Sequence, residues 1–372
     1  MATFPLKAGI LGAGTIATSH SGFLPGMTLI PELVTTIAIA DPVVDRAGQV
    51  AAAHGIPEVY ASLEDMLSRA DLDLVVNLTP IPFHASTSEQ ILRAGKHLVI
   101  EKPIAGTVAE ADTLIDIANE SGLVYVVAPP NMLYQNRIDA RRLLADGAIG
   151  QPCFARVRGS HGGPASGAWP LDPTWFYQEG SGPLLDMGVY GIHDITGLLG
   201  PAKRVVAFSG ITEPTRVVRG GPFAGKQIEV TTPDNTLMML DFGDSVFAVI
   251  DGTYNVNAAR SPQIEICGRA GTLNLYNIHN DPSAPPFELY RLDAAPGLDG
   301  WITPRNTGRG GPHQVEWDRL HRGVLVKHLA ECVRDGTKPV LSAEHARHAL
   351  EIMNKSVESA RTGTVLDLET TF

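Results

Sequence analysis

The sequence predicts an α/β protein, with a doubly wound parallel sheet at its N-terminus followed by an α+β domain built on a large, mainly antiparallel open sheet. Three observations predict it. Up to about residue 127, short apolar runs alternate with segments of helical period, the pattern of βαβ units. From about residue 152 the rhythm changes to alternating strand patterns punctuated by Gly-Asp, Asp-Gly and Gly-Thr turns. The 372 residues also exceed what one hydrophobic core usually serves. The chain is therefore expected to divide into residues 1–127 and 128–372, with the C-terminal helix a candidate to pack back on the first domain.

In chain order, the strand candidates of the first domain are Ala8 to Leu11, Leu33 to Ala40, Leu72 to Leu78, His97 to Ile100 and Leu123 to Val127. Helical periods lie between them at Ile16 to Phe23, Asp45 to His54, Ser62 to Ser68, Ser86 to Ala94 and Val108 to Glu120. The second domain's strands are read at Phe154 to Arg158, Arg204 to Phe208, Thr236 to Phe242, Phe247 to Ile250 and Gln263 to Cys267. The Gly-, Pro- and Asn-rich stretch from Asp281 to His313 reads as a long excursion outside the core. Two helices, Arg319 to Asp335 and Ala343 to Thr362, close the chain.

Composition narrows the class of function. With 29 basic and 40 acidic side chains the formal charge is −11, which disfavours nucleic acid and anionic membranes as general partners. A small-molecule enzyme is expected. Cys153, Cys267 and Cys332 are far apart and form no CxxC pair, so neither a disulfide framework nor a zinc site is indicated. His161, His313, His321 and His348 show no ligand spacing, and no metal is expected. The start of the chain shows no signal-peptide pattern, and no stretch of about 18 apolar residues follows, so a cytoplasmic protein is expected.

The chemistry begins where the first strand runs into Gly12-Ala-Gly14-Thr15-Ile16-Ala17, a GxGxxA turn opening a helix. The first glycine allows the tight turn, the second lets a pyrophosphate approach the backbone, and the small Ala17 permits close helix packing, the fingerprint of a Rossmann dinucleotide site. Taken alone the turn is also consistent with a purely structural role. Asp41 ends the second strand, where a carboxylate can accept both ribose hydroxyls of the adenosine half and repel a 2′-phosphate. With no arginine following immediately, NAD is favoured over NADP; the alternative is a solvated turn aspartate before Pro42.

Three further segments carry a resemblance. Thr79-Pro80-Ile-Pro-Phe-His84, the run Ala94-Gly-Lys-His97 to Glu101-Lys102-Pro103, and Gly180-Ser-Gly182-Pro-Leu-Leu-Asp186-Met-Gly188-Val-Tyr190-Gly-Ile-His193 are similar to the TPxxxH, AGKHVxxEKP and GGGxLxDxGxH patterns of the glucose-fructose oxidoreductase/inositol dehydrogenase/MocA family. The resemblance spans nearly the whole chain, because LADGAIGQP at 144–152 and GRAGTLNL at 268–275 fit as well. It implies that Thr79, Pro80, His84, Glu101 and Lys102 serve the cofactor edge, and that Asn131 and Tyr134 line the substrate cleft. It also implies an oligomerisation surface on the open sheet, hence a homodimer or homotetramer.

Lys102 falls at a strand's C-terminal end, where ligands of open α/β sheets bind, and its ammonium can hydrogen-bond a reacting hydroxyl and lower that hydroxyl's pKa. A surface lysine paired with Glu101 is the bland alternative. On a helix opened by Gly180 to Gly182, Asp186, Tyr190 and His193 stand at i, i+4 and i+7, within about 60° of one another. A carboxylate, a phenol and an imidazole so arranged suit a sugar hydroxyl and its proton, although buried polar packing gives the same pattern. His193 is preferred as base because histidine titrates near neutrality and tyrosine near 10. The family's inositol branch has DxxxH where this chain has DxxxY, which leaves the identity of the base open. Trp175 is a candidate wall for a pyranose ring, or simply core.

The expected activity is hydride transfer between NAD and a secondary alcohol of a sugar, cyclitol or glycoside. The rivals are an NAD-dependent glycosidase working by transient oxidation and elimination, and a non-catalytic NAD-binding sensor.

Overall fold

A computed structural model describes residues 3–276, 285–304 and 318–372, and these divide into two compact units. The first takes residues 3–134, 318–350 and 372, the second residues 135–276, 285–304 and 351–371.

The first unit is a six-stranded parallel sheet in the order β3-β2-β1-β4-β5-β6. Its elements are β1 (Leu6–Leu11), α1 (Thr15–Thr18), α2 (Phe23–Met27), β2 (Val34–Ala40), α3 (Val44–His54), β3 (Glu58–Tyr60), α4 (Leu63–Arg69), β4 (Leu74–Asn77), α5 (His84–Arg93), β5 (His97–Ile100), α6 (Val108–Glu120) and β6 (Tyr125–Val127). The strand interiors are continuous apolar runs because helices cover both faces of such a sheet: Leu74, Val75, Val76, Leu98, Val99 and Ile100 are fully buried. The order reverses between β1 and β4, which places the chemistry-bearing turns at the switch point. The helix expected over Ile16 to Phe23 is broken: α1 ends at Thr18, Ser19 is extended, and α2 restarts at Phe23 after Gly22. With the chain turned there, a Cβ on Gly22 would fall 2.7 Å from the Ile16 carbonyl oxygen, so the turn between the two helices requires glycine at that place. From the C-terminal part, α9 (Gly323–Asp335) belongs to this unit and packs on α2 and β6.

The second unit carries a nine-stranded mixed sheet, ordered β16-β15-β14-β13-β7-β12-β11-β8-β17. It is antiparallel throughout except where β7 (Pro152–Arg158) lies parallel to β12 (Val246–Thr253). The remaining strands are β8 (Arg204–Gly210), β11 (Asn235–Gly243), β13 (Ile264–Gly268), β14 (Gly271–Leu275), β15 (Phe287–Ala295), β16 (Leu298–Ile302) and β17 (Leu366–Asp367), with β9 (Thr215–Val217) and β10 (Gln227–Glu229) forming a separate hairpin. Helices α7 (Gln135–Ala145) and α8 (Val189–Leu199) accompany the sheet, and α10 (Ala343–Thr362) contributes its last twelve residues. Strand alternation is visible in β11, where Met238 and Leu240 are buried while Leu237 and Met239 face out beside Phe208.

The expected excursion from Asp281 to His313 is corrected in its described part. Phe287 to Ile302 forms the β15–β16 hairpin that extends the sheet, because Phe287-Glu-Leu-Tyr-Arg alternates within the Gly- and Pro-rich surroundings. Residues 281–284 and 305–313, His313 included, lie outside the described residues. Among the described residues no helix is long and apolar enough to cross a membrane.

Candidate active site

The first unit gathers its predicted residues along one sheet edge. Gly12 follows β1 at φ +102°, a conformation L side chains rarely adopt, and a Cβ there would lie 2.8 Å from the Leu78 carbonyl oxygen. Gly14 caps α1, and a Cβ added to it would meet no protein atom within 4 Å, so its outer side is open space. Thr15 and Ile16 are exposed on the first turn, whereas Ala17 is fully buried beneath it, as close packing of this turn requires.

Asp41 stands at the tip of β2 with 2% of its surface exposed. Its Oδ2 accepts the Ala13 N–H at 2.8 Å, tying the β2 tip to the glycine turn, and its Oδ1 accepts the Val43 N–H at 2.8 Å. Arg46, in the first turn of α3, donates to both oxygens at 2.7 and 2.9 Å. Burial works against the charge on Asp41, but the bonds from Ala13, Arg46 and Val43 outweigh it and hold the carboxyl below its ordinary value. Arg46 escaped the sequence reading because it stands five residues beyond Asp41, and only the turn into α3 brings it back.

After β4, the fully buried Asn77 accepts both the N–H and the hydroxyl of Thr79, fixing the start of the Thr79-Pro80 turn. His84 is 1% exposed, with Nδ1 2.6 Å from the Pro103 carbonyl oxygen and Nε2 2.8 Å from that of Thr79. Both ring nitrogens are thus committed to backbone, and His84 straps the Thr79-Pro80 turn to the Lys102-Pro103 turn. Burial lowers its pKa against the pull of the two carbonyls. Glu101 and Lys102 follow β5 directly, both half-buried, and the Glu101 carboxylate accepts the Lys102 N–H at 3.3 Å. Asn131 and Tyr134 come after β6 in a short turn and are buried at 3% and 9% exposure. Gly12 to Ala17, Asp41, Thr79, Pro80, Glu101, Lys102, Asn131 and Tyr134 therefore all follow the C-terminal ends of β1, β2, β4, β5 or β6.

In the second unit the expected single helix face is modified. Leu184–Gly188 forms one turn of π-helix and the α-helix begins only at Val189, so the 100° step relates Tyr190 to His193 but not Asp186 to either. The i→i+5 turn is invisible to a period count. Asp186 accepts a hydrogen bond from Tyr254 at 2.9 Å, 68 residues away, and burial together with that carboxylate pushes the Tyr254 phenol far up, so it acts as a donor. His161 stacks on Tyr254 with ring centroids 5.3 Å apart, and its Nδ1 accepts the Gly163 N–H at 2.7 Å.

On α8, His193 is 4% exposed and Tyr190 half-buried. Next to His193, the fully buried Asp194 is gripped by Arg137 of α7 through Nε at 3.2 Å and Nη2 at 2.9 Å, while Gln263 and Asn136 hold the rest of the guanidinium. Trp175 is 43% exposed in a 3₁₀ turn, more open than a core residue would be. Tyr254 and Arg137 were not singled out by sequence reasoning, since nothing local marks them, and His161 was read only as a histidine without ligand spacing. Among the described residues no group of three or more His, Cys, Asp or Glu side chains is placed to hold a metal ion.

The donor set of the first unit fits a dinucleotide: open space over Gly14 for a pyrophosphate, and a buried ionised Asp41 for a ribose diol. Comparison with known proteins agrees. The family model described as "Oxidoreductase family, NAD-binding Rossmann fold" matches residues 6–128, and that of the GFO/IDH/MocA C-terminal domain matches residues 138–274. The chain is 26% identical over 348 residues to a D-apiose dehydrogenase of Paraburkholderia graminis, covering 90% of this chain and 83% of that one. It is 24% identical over 365 residues to a trans-1,2-dihydrobenzene-1,2-diol dehydrogenase of Bos taurus, covering 95% and 97%. A levoglucosan dehydrogenase solved with NADH and levoglucosan has the same fold, with a TM-score of 0.81 at 21% identity over 98% of this chain and 100% of that one.

Proposed function

Because the chain belongs to the oxidoreductase family with an NAD-binding Rossmann fold and a GFO/IDH/MocA C-terminal domain, we propose that it oxidises or reduces a secondary alcohol carbon of a sugar, cyclitol or glycoside. When bound, the nicotinamide supplies the hydride acceptor or donor. The observation that carries the reading is the gathering at one sheet edge of the glycine turn, the buried Asp41 and the Lys102 tip.

Each residue's part follows from its chemistry. The backbone around Gly14 seats the pyrophosphate, and Asp41 takes the ribose hydroxyls, which favours NAD, while Arg46 on the same carboxylate is the group that would meet the 2′-phosphate of NADP. Lys102 hydrogen-bonds the reacting oxygen and eases loss of its proton. In the second unit, His193 is the proposed base, Tyr190 a proton donor or positioner, and Asp186, oriented by Tyr254, holds a substrate hydroxyl. Asn131, Tyr134 and Trp175 are proposed to contact the sugar.

The test is NADH formation, followed by absorbance, with NAD or NADP and a panel of aldoses, inositols, anhydrosugars and glycosides. We expect a rise with one sugar class, faster with NAD, and a loss of at least about 100-fold in Lys102→Ala. Release of an aglycone with no net NADH would favour the glycosidase, and a Lys102→Ala protein as active as the parent would overturn the assignment.

A further inference from the structure

Arg322 lies 221 positions from Glu101 in sequence, yet its Nε donates to Glu101 Oε1 at 2.9 Å and its Nη1 donates to the Ser21 carbonyl oxygen at 3.0 Å. The pair is largely sheltered, with side chains 24% and 13% exposed. The other carboxylate oxygen, Oε2, accepts the N–H of Lys102. A guanidinium, Glu101 and the backbone that carries the Lys102 arm thus form one chain of contacts within the first unit.

Two unusual features deliver Arg322 to this place. His321, a non-glycine residue, holds φ at +47°, a conformation that persists only where its surroundings fix it. Immediately after Arg322, the first residue of α9 meets α2 glycine against glycine. A Cβ on Gly323 would fall 2.8 Å from the Gly26 carbonyl carbon, and one on Gly26 would fall 1.9 Å from the Leu320 carbonyl oxygen. The backbone approach on one side and the left-handed residue on the other aim the guanidinium at the tip of β5.

We propose that Arg322 is a positioning residue for Lys102. It compensates the Glu101 carboxylate, so that this charge is not left to pair with the ammonium of the adjacent lysine. A carboxylate pairing with Lys102 would favour its charged form and tie up its donors, which opposes sharing a proton with a substrate hydroxyl. Arginine suits the task because it stays charged and its fork binds a carboxylate directionally. The inference rests on the reading of Lys102 given above.

The test compares kcat, with NAD and whichever sugar of the panel is turned over, for the parent, Arg322→Gln, Arg322→Lys, Glu101→Gln, the Glu101→Gln/Arg322→Gln double variant and Lys102→Ala, alongside thermal melts. We expect Arg322→Gln to lower kcat about tenfold, as loss of one charge-assisted hydrogen bond would. Adding Glu101→Gln should recover much of that loss in kcat, read at a temperature where the melts show every variant folded, because the stranded carboxylate is then neutral; a merely structural arginine would show the rescue in the melts and leave the kcat of the folded variants unchanged. Arg322→Lys should fall between. If Arg322→Gln does not fold, the same rescue is read in the Arg322→Lys background. An unimpaired Arg322→Gln, or a double variant whose loss is the product of the two single losses, overturns the role of Arg322 while Lys102→Ala remains inactive. No turnover of any sugar, or an active Lys102→Ala, overturns the underlying reaction and this role with it.

Discussion

At the edge of the first sheet the backbone sets the stage: Gly12 turns, Gly14 leaves space, and Asp41 is fixed mainly by the N–H groups of Ala13 and Val43 and by the nearby Arg46. In the second unit, polar side chains hold one another across long stretches of sequence. Tyr254 donates to Asp186 from 68 residues away, and Arg137 grips Asp194 from 57 and Gln263 from 126. The first arrangement closes within residues 12–46, where a glycine turn and the end of the neighbouring strand meet. The second is a buried network, whose members are costly to leave unpaired and invisible until the fold assembles them.

The largest expected effect follows from that network. Arg137→Ala leaves Asp194, with no exposed surface, without its guanidinium, and removing one partner of a buried pair typically costs about 3–5 kcal/mol. Chemical denaturation should show this loss, and Arg137→Met combined with Asp194→Leu should recover most of it. A loss under about 1 kcal/mol in Arg137→Ala would show that the second unit does not depend on its long-range pair.

The first unit should fail differently, through a short-range bond sensitive to acid. His328 on α9 accepts the Val340 N–H at Nε2, 2.9 Å away and 12 residues on, and burial lowers its pKa to about 4. Because the folded pKa lies below the ordinary 6.5, the unfolded chain binds the proton first. The stabilisation is complete above about pH 6.5 and drains away as pH falls toward 4, by on the order of 3 kcal/mol. Hydrogen exchange followed by mass spectrometry should show α9 peptides losing protection over that range, and His328→Gln should flatten the slope. An α9 as protected at pH 4.5 as at pH 7 would contradict it.

The same contrast explains what the sequence could disclose. The parallel strands, the helix over Val108 to Glu120 and the dinucleotide fingerprint were legible because a period, a glycine turn and a strand-end carboxylate each occupy a short run of chain. The break at Ser19 to Gly22 was not, since it depends on where carbonyls of the preceding turn come to lie. Nor was the π turn at Leu184, which shifts the phase of Asp186 without changing the residue pattern. Arg46, Arg137, Tyr254 and Arg322 went unread because each earns its place from a partner supplied by the fold.

The smallest expected change is the most diagnostic for the network's purpose. Tyr254→Phe keeps the buried ring between His161 and Tyr177 and removes only the hydroxyl that donates to Asp186. If Asp186 must be held in one orientation to grip a substrate hydroxyl, kcat/KM should fall about tenfold, the size of one hydrogen bond to a charged group. Tyr177→Phe is the control. Its hydroxyl accepts the Ala165 N–H at 3.0 Å, so it should cost stability and leave kcat/KM nearly unchanged. Equal melting losses with unequal kinetic losses would place Tyr254 in the service of Asp186. Kinetic losses that simply track the melts in both variants would make the cluster of His161, Tyr177 and Tyr254 a matter of packing alone.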